Sequence, residues 1–210
     1  MVVAVAEESR GAEHARPWIE AAKPGYLNLI DPGHRVAALY GMVNVPQCVW
    51  IDAAGMVVRP PESAGATDHF RRMDLSTRSL APDLQAARLA ARGAYLDAVV
   101  AWVRTGAHAL PPEQVRRGLP RITPEMALAD AHFRLGLWLR AHDGQAAAAR
   151  HFAAASRLHP QSWNMWRQAA DLEEAGRASG PEFWARVQAL GDRPYYLPPD
   201  LAGFPPPADD

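Results

Sequence analysis

Reactive groups are few in this chain. Cys48 is the single cysteine, so these residues alone build no intramolecular disulfide, no Cys-x-x-Cys redox pair and no thiolate cage for zinc. Eight histidines stand at 14, 34, 69, 108, 132, 142, 151 and 159 without a His-Glu-x-x-His, a His-x-His or a flanking cysteine. No metal site is expected of them. His132 falls at a helical position suited to packing, where one bonded ring nitrogen satisfies it. The adjacent carboxylates Glu7-Glu8 and Glu173-Glu174 point apart on a helix or strand instead of converging for acid–base work, and solvated surface is the expectation for both pairs. A glycine-rich nucleotide loop, a Walker-type lysine and a nucleophile elbow are all missing, and the one lysine, Lys23, sits beside Pro24. Trp138, Trp163, Trp166 and Trp184 cluster in the later half, where spacing by helical turns favours core or groove packing over an aromatic ligand box. No catalytic residue and no cofactor is therefore expected within the chain.

The 210 residues are 49% hydrophobic and 21% charged, enough for one or two globular domains. Lys plus Arg number 22 against 23 Asp plus Glu, a net charge of -1. Such a balance gives no general pull toward nucleic acid or an anionic membrane. No apolar run approaches the roughly 18 residues of a bilayer span, and Met1 to Ala6 is too short for a secretory h-region, so the chain as given reads as cytoplasmic. One lysine stands beside 21 arginines, the mark of a GC-rich coding sequence, and the alanine and arginine counts carry little functional weight.

Positioning elements follow from periodicity. Val2, Val3 and Val5 predict a strand buried on both faces, and Ser9 is the expected N-cap of a helix over about 10–22 carrying Ala15, Trp18 and Ile19. Lys23-Pro24-Gly25 ends that helix, and Tyr26 to Ile30 reads as the second strand. Asp31-Pro32-Gly33 turns the chain into a short helix with Val36, Ala37, Leu39 and Tyr40, capped by Gly41. Cys48 to Asp52 and Met56 to Arg59 predict an antiparallel hairpin around Asp52-Ala53-Ala54-Gly55. The order is β-α-β-α-β-β. Residues 60–79 read as a connector with one irregular turn near Phe70 and Met73. A helix is predicted from Pro82 to Thr105, with an apolar stripe of Leu89, Leu96, Val99, Val100 and Val103 and a stop at Gly106; a short one follows over Pro111 to Gly118.

The run Val2-Val-Ala-Val-Ala-Glu-Glu-Ser9, a helix with Trp18-Ile19, Leu29-Ile30-Asp31-Pro32, Val36-Ala-Ala-Leu-Tyr-Gly41 and Val43-Asn-Val-Pro-Gln-Cys-Val-Trp-Ile-Asp52 resembles the later two thirds of a thioredoxin-like domain of the TlpA/ResA redoxin branch. The resemblance covers about residues 2–60. It implies a cis-proline at the Val45-Pro46 step, forming one wall of a thiol site, and a thiol–disulfide activity with a protein or peptide as redox partner. It also implies that the family's Trp-Cys-x-x-Cys motif lies ahead of residue 1. Cys48 supplies neither thiol role, because on an internal strand it behaves as a small hydrophobe with a raised pKa. The favoured expectation is a reading frame started late, for instance behind a UGA codon for selenocysteine; a natural chain that has lost thiol chemistry is the alternative.

In the second half, Leu135 and Gly136, then Ala148, Phe152 and Ala155, and finally Pro160 are similar to one tetratricopeptide (TPR) unit over 129–162. Gly136 and Ala148 permit close helix approach, Phe152 fills the gap, and Pro160 stops the second helix. Trp166 starts a further unit at Gln161 to Ala175, completed by Gly180 to Leu190. One clear unit does not stand alone, so support is expected from the helix 82–105, with Tyr95 and Trp102, or from the α/β half. The expected organisation is a partial thioredoxin-like α/β domain over 1–60, a connector over 61–79, an all-α TPR-like domain over 80–192 and a Pro-rich tail over 193–210, packed through Tyr195, Tyr196 and Leu197. A groove lined by Trp138, Trp163 and Trp166 is the site for the alternative function, a non-catalytic interaction module.

Overall fold

The computed structural model describes residues 1–170, 180–202 and 204. The elements are β1 (Val3–Ala6), α1 (Ala12–Ala22), β2 (Leu27–Ile30), α2 (Arg35–Tyr40), β3 (Gln47–Ile51), β4 (Val57–Ser63), a 3-10 turn (Asp68–Arg72), α3 (Pro82–Thr105), α4 (Pro112–Gly118), α5 (Pro124–Asp143), α6 (Gln145–Leu158), α7 (Trp163–Ala169) and α8 (Pro181–Gln188). The architecture is mixed α/β, and its first part keeps the β-α-β-α-β-β order. The described strands make two sheets of two: β1 and β2 pair in parallel, β3 and β4 antiparallel. Contacts divide the chain into one unit of Met1–Asn44 with Pro120–Ala185 and another of Val45–Leu119 with Arg186–Asp210. Each unit thus draws on both the strand-bearing and the helical stretch.

In the first unit, β1 meets β2 in the register Val3↔Leu27 to Ala6↔Ile30. The expected burial on both faces is not found: β1 has a single partner strand among the described residues, and Val2, Val3, Leu27 and Leu29 are exposed. Ser9 does not cap α1. Gly11, at φ 108, holds the N-cap position, and the Ser9 hydroxyl instead donates to Gln168 Oε1. Beyond β2, Asp31 Oδ2 accepts the Val36 amide at 2.6 Å and so satisfies a first-turn N–H of α2. Gly41, at φ 66, ends α2, and a Cβ there would stand 2.4 Å from Pro120 Cγ.

Thr123 Oγ1 accepts the Met126 amide at 3.2 Å and caps α5, with Pro124 in the first turn. α5 and α6 pack closely as a hairpin. Phe133, Ala148, Phe152 and Ala155 form its core, and Gly136 lies so close to the Phe152 ring that a Cβ would sit 2.7 Å from Cε1. The backbone amides of Trp163 and Asn164, at the start of α7, both donate to Val43 O, at 2.7 and 3.2 Å. The start of α7 is therefore tied to residues 1–44. Tyr95 and Trp102 pack on Trp50 instead.

The second unit is built on the β3–β4 hairpin. Asp52 Oδ1 accepts the amides of Ala54 and Met56, both at 2.9 Å, and Gly55 takes φ 80; this side-chain turn makes the reversal the residues Asp-x-x-Gly announce. β4 continues to Ser63 through Pro60-Pro61, residues read from sequence as connector. Two prolines are tolerated because β4 has one partner strand among the described residues and the register shifts between Cys48 and Trp50, so the prolines fall outside the paired positions. α3 spans the predicted residues and ends at Gly106, φ 76. Its buried face differs from the prediction: Leu84, Ala91, Tyr95 and Ala98 are inside, while Leu89, Leu96, Val100 and Val103 are exposed. Small residues flanking one tyrosine let the helix lie close on Trp50, an option that counting large aliphatics misses. The tail is held where expected: the Tyr195 and Tyr196 amides each donate to an Asp68 carboxylate oxygen at 2.7 Å, and both rings meet Phe70 edge-on. Leu197 is exposed, and its carbonyl accepts the Ser63 hydroxyl.

Candidate functional site

Val45 and Pro46, both exposed, lead into β3, and the bond between them is cis. Val45 O accepts the Tyr196 hydroxyl at 3.0 Å, and Pro46 O accepts the Ala64 amide at 3.4 Å. Two residues on, Cys48 stands opposite Glu62 in the ladder. Burial pushes its thiol up, and the thiol lies 3.8 Å from the Val49 carbonyl, to which it donates. A thiol so placed is a poor thiolate, which removes it as an attacking group.

Behind Cys48 lies a closed polar network that sequence reasoning missed. The Trp50 indole N–H donates to the Tyr95 hydroxyl at 2.9 Å, and that hydroxyl donates to Glu62 Oε1 at 3.2 Å. Arg59, 2% exposed, grips Glu62 with Nε and Nη2, both at 2.9 Å, and also donates through Nη1 to the His108 carbonyl and through Nη2 to the Asp200 carbonyl. Its guanidinium also lies 5.3 Å from the Trp50 ring centroid. Burial, then Cys48 and Glu62, push the Tyr95 phenol far above its ordinary value, so it stays a neutral donor. The signal in the sequence is Arg59-Pro-Pro-Glu62, an ion pair preset by two stiff residues. Four bonds from Arg59 and the Trp50–Tyr95–Glu62 chain hold the hairpin against α3.

In the first unit, polar side chains gather at the carboxyl ends of the parallel strands, where ligands sit in open α/β sheets. Glu7 Oε2 lies 3.4 Å from His34 Nδ1, and His34, 5% exposed, meets Phe133 edge-on at 5.2 Å. Neither His34 nitrogen nor Glu7 Oε2 has a hydrogen-bond partner among the described residues. Next to them, Arg140 Nη1 donates to Gln168 Oε1 at 2.9 Å, while burial lowers the Arg140 pKa. Burial raises Glu8, but its bonds with Arg10, at 2.8 and 2.6 Å, outweigh that and hold the carboxyl below its ordinary value. Glu7 and Glu8 meet different partners, and the Glu7 side chain is only 8% exposed because β1 delivers it beside His34. Glu173-Glu174 lies outside the described residues.

Of the tryptophans, Trp163 and Trp166 meet at 5.6 Å and pack with Phe183. Trp138 stands apart on α5, 53% exposed, with its ring stacked on His142 at 4.2 Å. The structure thus brings two of the three together, Trp163 buried and Trp166 half-buried, and leaves the third at the surface. His132 does not fill a core slot: half-buried, its Nδ1 lies 2.9 Å from Nδ1 of His151 on α6. No group of three or more His, Cys, Asp or Glu suited to a metal occurs among the described residues, and no described helix is long and apolar enough to cross a membrane. Comparison with protein-family models, curated proteins and solved structures finds no match to this chain.

Proposed function

We propose that the chain carries the non-thiol part of a redoxin-type thiol–disulfide oxidoreductase, whose attacking and resolving thiols belong to a segment outside these 210 residues. The order of pairing carries this reading: a parallel β-α-β unit is followed by an antiparallel hairpin whose first strand starts at the exposed Val45-Pro46 step. Two facts support it. β1 has one partner strand among the described residues, which leaves an edge for a further strand. Cys48 is held protonated by burial, so exchange chemistry needs thiols from elsewhere. In this reading Val45 and Pro46 wall the thiol site and offer main chain to an extended protein or peptide substrate. Dithiothreitol-driven insulin reduction tests it. The 210 residues alone leave the background rate unchanged; an in-frame extension at the N-terminus carrying Trp-(Cys/Sec)-x-x-Cys accelerates it. Genomic DNA ahead of Met1 without such a stretch, or an extended chain without activity, refutes the proposal.

A second reading, a non-catalytic interaction module, is favoured by the exposed Trp138 on the repeat hairpin. Under it the extended chain stays inactive toward insulin.

A further inference from the structure

From the pairing of His132 and His151 we infer a binding site for a tetragonal divalent transition ion, copper(II), clipped across the α5–α6 hairpin. Two imidazoles from different helices place their Nδ1 atoms 2.9 Å apart, with ring centroids at 5.2 Å and planes 33° from parallel. Only one proton fits between two such nitrogens. Arg150 Nε donates to His151 Nε2 at 3.2 Å, so that nitrogen is an acceptor and the His151 proton sits on Nδ1, donating to His132 Nδ1. One lone pair and one exchangeable proton thus share a position that a cation can take.

Ligand type decides which cation, and the separation is compatible with it. Imidazole–metal bonds are about 2.0–2.1 Å long, and two of them spanning 2.9 Å enclose an angle of ~90°. That is the angle between neighbouring ligands of a square-planar or tetragonal ion. Tetragonal nitrogen sites suit copper(II) and nickel(II), and copper leads the affinity order. No third His, Cys, Asp or Glu completes a cluster among the described residues, so water fills the remaining positions and the site is open.

Loading requires a small rearrangement. The His151 proton passes through solvent from Nδ1 to Nε2, Arg150 gives up its contact, and both rings turn until their Nδ1 axes meet at the ion. The proton is relocated and none is released. Arg150 accordingly opposes binding in the empty state.

The test is titration of the full chain with copper(II) near neutral pH, read by electron paramagnetic resonance. The expected result is one ion per chain, an axial spectrum with splitting from two imidazole nitrogens, and affinity for zinc(II) lower by about tenfold or more. His132→Asn and His151→Asn each weaken copper binding by at least about tenfold, His142→Asn leaves it unchanged, and Arg150→Ala binds at least as tightly as the parent. Fewer than two nitrogens in the spectrum, unaltered binding in the His132→Asn/His151→Asn double variant, or weaker binding in Arg150→Ala overturns the inference. If a histidine variant loses helix content by circular dichroism, the parent spectrum and Arg150→Ala still decide the matter.

Discussion

Glycine-to-alanine substitution should have opposite signs at two helical positions of this protein. Removing a helix-interior glycine gains about 0.5–1 kcal/mol from propensity and from restriction of the unfolded chain. At Gly93, inside α3, an added Cβ meets nothing within 4 Å, so Gly93→Ala keeps that gain. At Gly136 the same Cβ would lie 2.7 Å from Phe152 Cε1 and 2.8 Å from Cδ1, against an optimal carbon separation of about 3.5–4.0 Å. The ring has nowhere to retreat: Phe152 is wholly buried, with Phe133 at 5.9 Å and the Arg140 guanidinium at 5.1 Å from its centroid. Overpacking of this kind costs about 1–3 kcal/mol, which exceeds the propensity gain and leaves Gly136→Ala less stable by about 1 kcal/mol. Urea denaturation followed by far-ultraviolet circular dichroism reads both. With a slope of about 2 kcal/mol per molar, the midpoint falls by roughly 0.5 M for Gly136→Ala and rises by a few tenths for Gly93→Ala. Adding Phe152→Leu to Gly136→Ala should cost less than the two single changes summed, since the shorter side chain relieves the clash. A Gly136→Ala midpoint at or above the parent's would refute the close approach of α5 and α6.

Removing one side of the buried network should be worse than removing both. Glu62→Ala leaves Arg59, 2% exposed, without its carboxylate and costs about 3–5 kcal/mol, while Arg59→Met with Glu62→Leu costs markedly less; urea midpoints compare them. The Cys48 thiol, raised by burial, keeps its proton where the unfolded thiol, with a pKa of about 8.5, loses it. Stability from this group is complete below that pH and is lost as pH rises through 8.5 toward the folded value. Cys48→Ala should flatten that alkaline decline, and iodoacetamide near pH 8 should label Cys48 slowly until urea is added; equal labelling with and without urea contradicts the burial. Trp138→Ala should leave thermal stability within about 0.5 kcal/mol of the parent because its ring is largely in solvent. Trp163→Ala should cost about 3–5 kcal/mol, the loss expected of a buried aromatic; equal effects would contradict the placement of the two rings.

Local chemistry made most of the elements legible. Pro82 and Gly106 bracket α3, Gly41 ends α2, and Asp52-x-x-Gly55 closes the hairpin, each through a backbone preference that acts within a few residues. The spacing of Gly136, Ala148 and Phe152 likewise announced the close α5–α6 pair, since small residues and one aromatic at helical intervals have few other uses.

What no local rule reached is which faces meet. Periodicity marks several apolar stripes on one helix but cannot choose among them, and on α3 the partner Trp50 selected the face of Ala91, Tyr95 and Ala98 over the larger aliphatics. The pairs across long separations, Glu7 with His34, Arg59 with the Asp200 carbonyl and His132 with His151, arise because folding brings together residues that share no sequence spacing. Composition and motif determined which chemistry these 210 residues lack by themselves, foremost a thiol pair. Which polar groups are satisfied and which stand buried without a hydrogen bond was decided by tertiary packing alone, because a hydrogen bond depends on distance and angle and neither is written in the order of residues.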